Sequence, residues 1–511
     1  MNQKGFSQLI LVIIAGLVMV GGGTWYYKQS TKPNNESAPE TQVTTEPSSA
    51  PVIPESSSSN ASDATVEQAK EASKNAVPKT PAQTNAPTKQ VAAPADAKPS
   101  APTPNISCAS PTDTRHMDIF DSHVHANPKV DMSQIISEMD KAGVSVANLY
   151  SGTPDIASKY PGRFITFVDT PDSPPSWLTQ GQAFVTSVEA QLKTGENYGV
   201  GETNLRYYSG KLIPPPTVYV PADTPTWLQL VDLSAKYHVP ISFHFVPDDS
   251  TANAAFERML SHNKDTILIW AHLGFNNMPL NSATLSDYLL RYPHLYFDTA
   301  GIQNMQQDPA PQANSNWWML TSQADNGQLN KEWRQFFETW NSRILFGSDA
   351  GGGGNGLERW QNYAGNAVNG ATPDAVGHWR NLLSNLDSNS ARNILSANAK
   401  ELFLKKQKPA YDYSVSSGGK CYSISVRSES SVSALTFDPS TRAITFTVAN
   451  SNGTTGNAVV TIPIALGKNF TASVDGKSVK SQSTSSSTNT TVSLEYAGGI
   501  RAITLTTPST P

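Results

Sequence analysis

The sequence predicts an α/β protein built on a (β/α)8 TIM barrel spanning residues 111–408. Three observations lead there. Short apolar runs alternate with stretches of helical period between residues 118 and 350, and there are eight of them; eight strand–helix units over this length are what a closed parallel barrel requires. No glycine-rich phosphate-binding turn follows the first run, as an open doubly wound sheet would show. The composition also changes sharply at both ends of the region, so the barrel is one module among several in a chain of 511 residues.

Residues 1–28 form the first module. Phe6 to Tyr27 contain no charged residue and end on Trp25, Tyr26 and Tyr27. The run is long enough to cross a bilayer as a helix with its aromatic end at the interface. Its apolar core is longer than that of a cleaved leader, and no clear small-residue cleavage site follows, so a single-pass membrane anchor is expected. Residues 29–110 are dominated by Ser, Thr, Pro, Ala, Asn and Gln. Such a stretch cannot bury enough apolar surface to offset its ordering entropy and reads as a disordered tether. Long Ser/Thr/Pro stalks hold domains off the outer side of a membrane, which places the body of the protein outside the cytoplasm.

The expected barrel strands are 118–125, 144–150, 163–169, 198–204, 239–245, 266–272, 295–301 and 343–350. Helical patterns between them cover Met132–Ala142, Gln182–Lys193, Thr226–Tyr237, Ala252–Asn263, Ala283–Arg291 and Glu332–Trp340, with Asp374–Leu386 and Ser390–Leu404 closing the unit. Two loops stand out: 302–330, which holds Trp317 and Trp318, and the glycine run Gly351 to Gly354. Long loops at the functional face of a barrel often act as lids, and paired tryptophans suit an apolar or sugar-ring substrate. Residues 409–511 carry about seven short β-branched runs, a hairpin signal at 474–477 and no helical period. They predict an Ig-like β-sandwich with a spacer or wall-facing role.

A net charge of −5 is small for this length, so nucleic acid is not an expected partner. Only two cysteines occur, Cys108 and Cys421, with no CxxC pair; a cysteine-rich zinc site is excluded. In an oxidising compartment the two are expected to form a disulfide between the barrel entry and the sandwich junction.

The chemistry concentrates at strand ends. In FDSHVHAN, residues 120–127, His123 and His125 are two apart, so an extended strand turns both to one face. Glu202 lies near the end of the fourth strand and His244 near the end of the fifth; His272 ends the sixth and Asp349 the eighth. Functional residues of such barrels occupy the C-terminal ends of strands. As separate core residues, six such polar groups would each need a buried partner; as one metal site they need only each other.

These residues resemble the amidohydrolase superfamily: DSHVH on strand one, FHF on strand five, AHLG on strand six, LFGSD on strand eight and the closing SANAKELF helix. The last three look most like the amidohydrolase-related (type 2) branch. The resemblance covers roughly residues 117–406. It implies a metal-dependent hydrolase of a small amide, ester or lactone, with a non-hydrolytic decarboxylase as the alternative and a surface-display scaffold as the non-enzymatic one. It implies that His123, His125 and Asp349 hold a divalent metal such as Zn²⁺, that His244 is a further ligand, and that Asp349 takes a proton from the attacking water. His272 would serve a second ion or polarise the substrate. Glu202 stands where some branches place a bridging lysine carbamate; it would bridge two ions or support one, and the closing motifs favour one. Arg206 would bind a substrate carboxylate or pair with Glu202.

Overall fold

The computed structural model describes Cys108 and residues 112–126, 130–170, 176–208, 216–274, 282–302, 328–351 and 375–507. The barrel strands are β1 (Ile119–His125), β2 (Val144–Tyr150), β3 (Phe164–Val168), β4 (Asn197–Asn204), β5 (Pro240–His244), β6 (Ile267–Trp270), β7 (Leu295–Asp298) and β8 (Ile344–Leu345). They form one eight-stranded sheet paired in that order, and every pairing is parallel. Their near-continuous burial follows from helices covering a parallel sheet. The ring closes between β1 and the chain just past β8. Ser122 N donates to Phe346 O (2.9 Å), Asp349 N to His123 O (2.9 Å) and His125 N to Ala350 O (2.8 Å). Closure therefore brings the His123–His125 segment against Asp349.

Around the sheet lie α1 (Met132–Ala142), α2 (Pro154–Lys159), α3 (Ser176–Gln180), α4 (Gln182–Lys193), α5 (Pro225–Tyr237), α6 (Ser250–His262), α7 (Ser282–Arg291), α8 (Lys331–Thr339), α9 (Ala375–Leu383) and α10 (Ser388–Arg392). Their ends obey local chemistry. Asp131 caps α1 by accepting from Ser133 N, and Gly143 ends it with φ at +72°; Asp249 caps α6 by accepting from Ala252 N (2.7 Å). The helices α2 and α3 are too short for a helical period to show in the sequence. Past α10 the chain continues helically to Leu404. Its Leu402 and Phe403 join Phe120, Phe167, Ile269 and Tyr296 in the barrel interior. The Phe403 ring lies 5.5 Å from Phe120 and 5.4 Å from Phe167, edge-on to both.

Strands six to eight stop earlier than expected, at Trp270, Asp298 and Leu345. The backbone leaves the ladder where it must turn side chains inward: His272 (φ +58°), Gly301 (φ +68°) and Asp349 (φ +60°) are all left-handed.

The C-terminal region needs a larger correction. It has ten strands: β9 (Tyr411–Ser417), β10 (Lys420–Ser428), β11 (Ser431–Asp438), β12 (Ala443–Ala449), β13 (Thr455–Pro463), β14 (Thr471–Val474), β15 (Lys477–Val479), β16 (Ser481–Ser485), β17 (Asn489–Ala497) and β18 (Ile500–Thr506). They form two antiparallel five-stranded sheets, ordered β9-β10-β13-β17-β16 and β11-β12-β18-β14-β15. Val426, Val460 and Val492 of the first sheet share a core with Ile444, Phe446 and Ile503 of the second. The sandwich stands, but its five-plus-five order is not the seven-strand immunoglobulin arrangement. The expected anchor and nearly all of the tether lie outside the described residues, as do the Trp317–Trp318 loop and Gly352 to Gly354. No helix among the described residues is long and apolar enough to cross a membrane.

Barrel and sandwich are joined through buried polar contacts. Arg343 is 1% exposed; it donates to Tyr292 O and Leu295 O on the barrel side and to Tyr411 Oη (3.0 Å) and Ser431 Oγ (3.2 Å) on the sandwich side. Cys108 and Cys421 are bonded, with Cα atoms 5.7 Å apart.

Candidate metal centre

Six of the residues singled out in the sequence converge at the C-terminal end of the barrel. On one side His123 Nε2 and His125 Nε2 lie 3.3 Å apart; on the other, His244 Nε2 and His272 Nε2 lie 2.9 Å apart. Glu202, in β4, stands between the pairs and divides its oxygens. Oε2 is 3.1 Å from His123 Nε2 and 3.5 Å from His125 Nε2. Oε1 is 2.6 Å from His244 Nε2 and 3.3 Å from His272 Nε2. Asp349 Oδ1 completes the first pair, 3.3 Å from His125 Nε2.

A second layer orients the rings. Asp298, the last residue of β7, accepts from His123 Nδ1 at 3.0 Å through Oδ2. Its Oδ1 accepts from the backbone N–H groups of His272 (2.9 Å) and Ala300 (3.1 Å). His272 Nδ1 donates to Ala300 O at 2.7 Å. Since a carboxylate and a carbonyl can only accept here, both imidazoles carry their Nδ1 proton outward and turn Nε2 inward. Glycine makes room: a Cβ on Gly301 would stand 3.1 Å from both Asp349 Oδ2 and His272 Nδ1, and one on Gly347 would stand 2.9 Å from His123 Cβ. Tyr150, ending β2, packs edge-on against His123 with ring centres 4.7 Å apart.

The fields within the cluster are strong. Burial opposes a charge on His123, but Glu202 and Asp298 outweigh it and hold its pKa well above the ordinary imidazole value. Burial likewise opposes charge on Glu202, yet His123 and His244 hold its carboxyl well below the usual range. Asp349 resists burial in the same way, held down at about 2 by the His125 hydrogen bond and the imidazoles around it. His244 goes the other way: burial, aided by His272 and His123, outweighs Glu202 and lowers it.

These donors fit a metal. Two imidazole lone pairs facing each other at 2.9 or 3.3 Å repel unless a cation or proton lies between them. Ligands at about 2.1 Å from a tetrahedral ion stand roughly 3.4 Å from each other, close to the separations here. Glu202 Oε1 is buried without a well-directed hydrogen bond, an expensive state for a carboxylate oxygen unless a cation takes its lone pairs. His123, His125 and Glu202 form one donor group, and Glu202, His244 and His272 a second, the atoms of each lying within 4.8 Å of one another.

Arg206 is the exception among the residues singled out. Its guanidinium does not pair with Glu202: Nε binds Asp248 Oδ1 at 2.6 Å and Nη2 lies 2.7 Å from Asp249 Oδ2. The chain leaves β4 at Leu205, and Arg206 enters a two-residue ribbon with Val218–Tyr219, against the loop that carries those aspartates. Asp298 and Tyr150 went unnoticed in the sequence. The only signal for Asp298 was an acidic residue closing the seventh apolar run.

Comparison with known proteins completes the description. No family model and no curated protein matches the sequence. Solved structures similar to this chain include amidohydrolases, dihydroxybenzoate decarboxylases and the catalytic module of a family 98 glycoside hydrolase from Streptococcus pneumoniae. A 2,6-dihydroxybenzoate decarboxylase from Rhizobium is 13% identical with a TM-score of 0.33, covering 57% of this chain and 99% of its own. Amidohydrolase 2 from Bifidobacterium longum subsp. infantis is 12% identical with a TM-score of 0.32, covering 56% and 99%. A dihydroxybenzoic acid decarboxylase from Polaromonas sp. JS666, solved with manganese and 2-nitroresorcinol, is 12% identical with a TM-score of 0.32, covering 57% and 98%.

Proposed function

We propose that the chain is a metal-dependent hydrolase of a small amide, ester or lactone, with two divalent ions held by the two histidine pairs and shared through Glu202. The observation that carries the reading is the approach of four imidazole Nε2 atoms to the two oxygens of one buried carboxylate. His123, His125 and Asp349 would hold one ion, His244 and His272 the other. Imidazole and carboxylate donors suit Zn²⁺. When bound, such ions polarise a substrate carbonyl and lower the pKa of a water. Glu202 offers one oxygen to each pair, which supports two ions over the single ion that the closing motifs favour.

The protein's own groups have separable tasks. Asp349 stays ionised and presents a carboxylate at the rim, where it can take a proton from an attacking water and return it to the leaving group. Its side chain is 27% exposed, against 7% for Glu202, so substrate can reach it. Asp298 and Ala300 fix the His123 and His272 rings and keep Nε2 inward. We further propose that residues 1–28 anchor the chain in a membrane and that the tether carries barrel and sandwich on the outer side; the uncharged run Phe6–Tyr27 supports this, and protease treatment of intact cells would test it.

Asp349→Asn separates binding from chemistry. Asparagine keeps an oxygen ligand but accepts no proton, so metal content should persist while turnover of an ester or lactone panel falls at least ~10²-fold. Near-normal turnover at full metal content would remove Asp349 from the role of base. Release of CO₂ from aromatic acids without ester or amide cleavage would reassign the reaction to decarboxylation.

A further inference from the structure

We propose that the cleft between the barrel floor and the sandwich is a second binding site, for a neutral saccharide. It has a volume of about 330 Å³ and lies at the N-terminal ends of β6 and β7, the opposite end of the barrel from the metal centre. That size is at the low end for small-ligand pockets, enough for a short sugar and not for a polymer chain.

Its walls differ in chemistry. Pro293 and the exposed edge of Tyr292 give the barrel side a narrow apolar strip, while Ser451, Thr455 and Asn457 give the sandwich side hydroxyl and amide groups. An apolar strip facing a few fixed hydrogen-bonding groups matches a sugar ring, which has C–H faces and an edge of hydroxyls. The charges do not select an anion. Arg291 is held by Asp287 (2.8 Å) and Glu257 (2.6 Å) and Lys408 by Glu429 (2.7 Å), and the acidic Asp265 and Glu429 line the cleft along with Lys264.

His294 adds an independent pointer. It lines the cleft and is only 3% exposed. Its Nε2 lies 2.9 Å from Leu260 O, so Nε2 must be the donor. Nδ1 is then an acceptor, and it is buried without a partner. Burial first, with Arg343 and Lys408 adding to it, pushes the ring down to about 3, so it stays a neutral acceptor in ordinary buffers. A ligand hydroxyl is the kind of donor it lacks.

The test is titration calorimetry on the full chain with glucose, N-acetylglucosamine and their trisaccharides, and with inorganic phosphate as the anionic probe. Saturable binding of at least one sugar is expected, weakened about fivefold by Asn457→Ala or Thr455→Ala, each removing one hydrogen bond. Both residues are exposed, so the variants should fold, and circular dichroism checks this. Metal content should not change in either. His244→Ala should leave sugar binding intact, which separates this site from the metal centre. Absence of sugar binding, binding that ignores the cleft variants, binding lost with His244→Ala, or binding of phosphate alone would overturn the proposal.

Discussion

His123 sits between two carboxylates, Asp298 on Nδ1 and Glu202 on Nε2. The first is what makes it a good ligand: a negative charge on the far nitrogen fixes the tautomer and raises ring basicity. Asp298→Asn removes that charge and keeps the shape. Metal affinity should fall about 10- to 100-fold, measured by competition with a chromophoric chelator; unchanged affinity would mean that ring packing against Tyr150 suffices. The residue scale is also where the sequence was most and least readable. Two histidines two apart in a strand announce a shared face, and strand-end His and Asp residues at known spacings announce a rim. Asp298 announces nothing, because a carboxylate ending a buried strand looks the same whether it supports an imidazole or caps a turn. The pairing of Arg206 with Glu202 failed because its actual partners, Asp248 and Asp249, come from beyond the next barrel strand.

At the scale of elements, the site is built where strands stop being strands. Beyond Trp270, Asp298 and Leu345 the chain adopts left-handed turns that aim His272 and Asp349 inward. Gly301 sits in one such turn against both groups. Gly301→Ala places a Cβ in a left-handed conformation, which costs about 1–2 kcal/mol, and presses on His272 and Asp349. Unfolding in urea should show a loss of that size and chelator competition a weaker metal site; full metal affinity would show that the turn relaxes without moving its neighbours. The same scale explains what was legible in the folds. Most buried parallel strands declare themselves as runs of Val, Ile, Leu and Phe, whereas β4 (NYGVGETN) has one Val and shows only as a short segment between helical patterns. In the sandwich, β9 (YDYSVSS) and β16 (SQSTS) carry too few apolar residues to show alternation, and β14 and β15 flank one tight turn and read as a single run. Ten strands therefore looked like seven.

For the whole molecule, the barrel floor is not a free surface. Arg343, Ser431 and the Cys108–Cys421 bond tie it to the sandwich, and His294 is buried close to that junction. Its folded pKa of about 3 lies below the ordinary histidine value of 6.5. The unfolded chain takes up a proton below that value which the folded protein refuses, so this contribution is complete above about pH 6.5 and is lost as pH falls toward 3. Between about pH 6.5 and 5 the loss should be about 2 kcal/mol. His294→Gln should lack that part of the decline when unfolding is compared at about pH 7 and pH 5; a variant as acid-sensitive as the parent would contradict it. The central claim is read most directly from the metal content of the whole chain. Purified protein loaded with Zn²⁺ and desalted should carry about two ions per chain, falling to about one in Glu202→Gln, because one carboxylate serves both histidine pairs. A chain that binds no divalent metal would contradict the account.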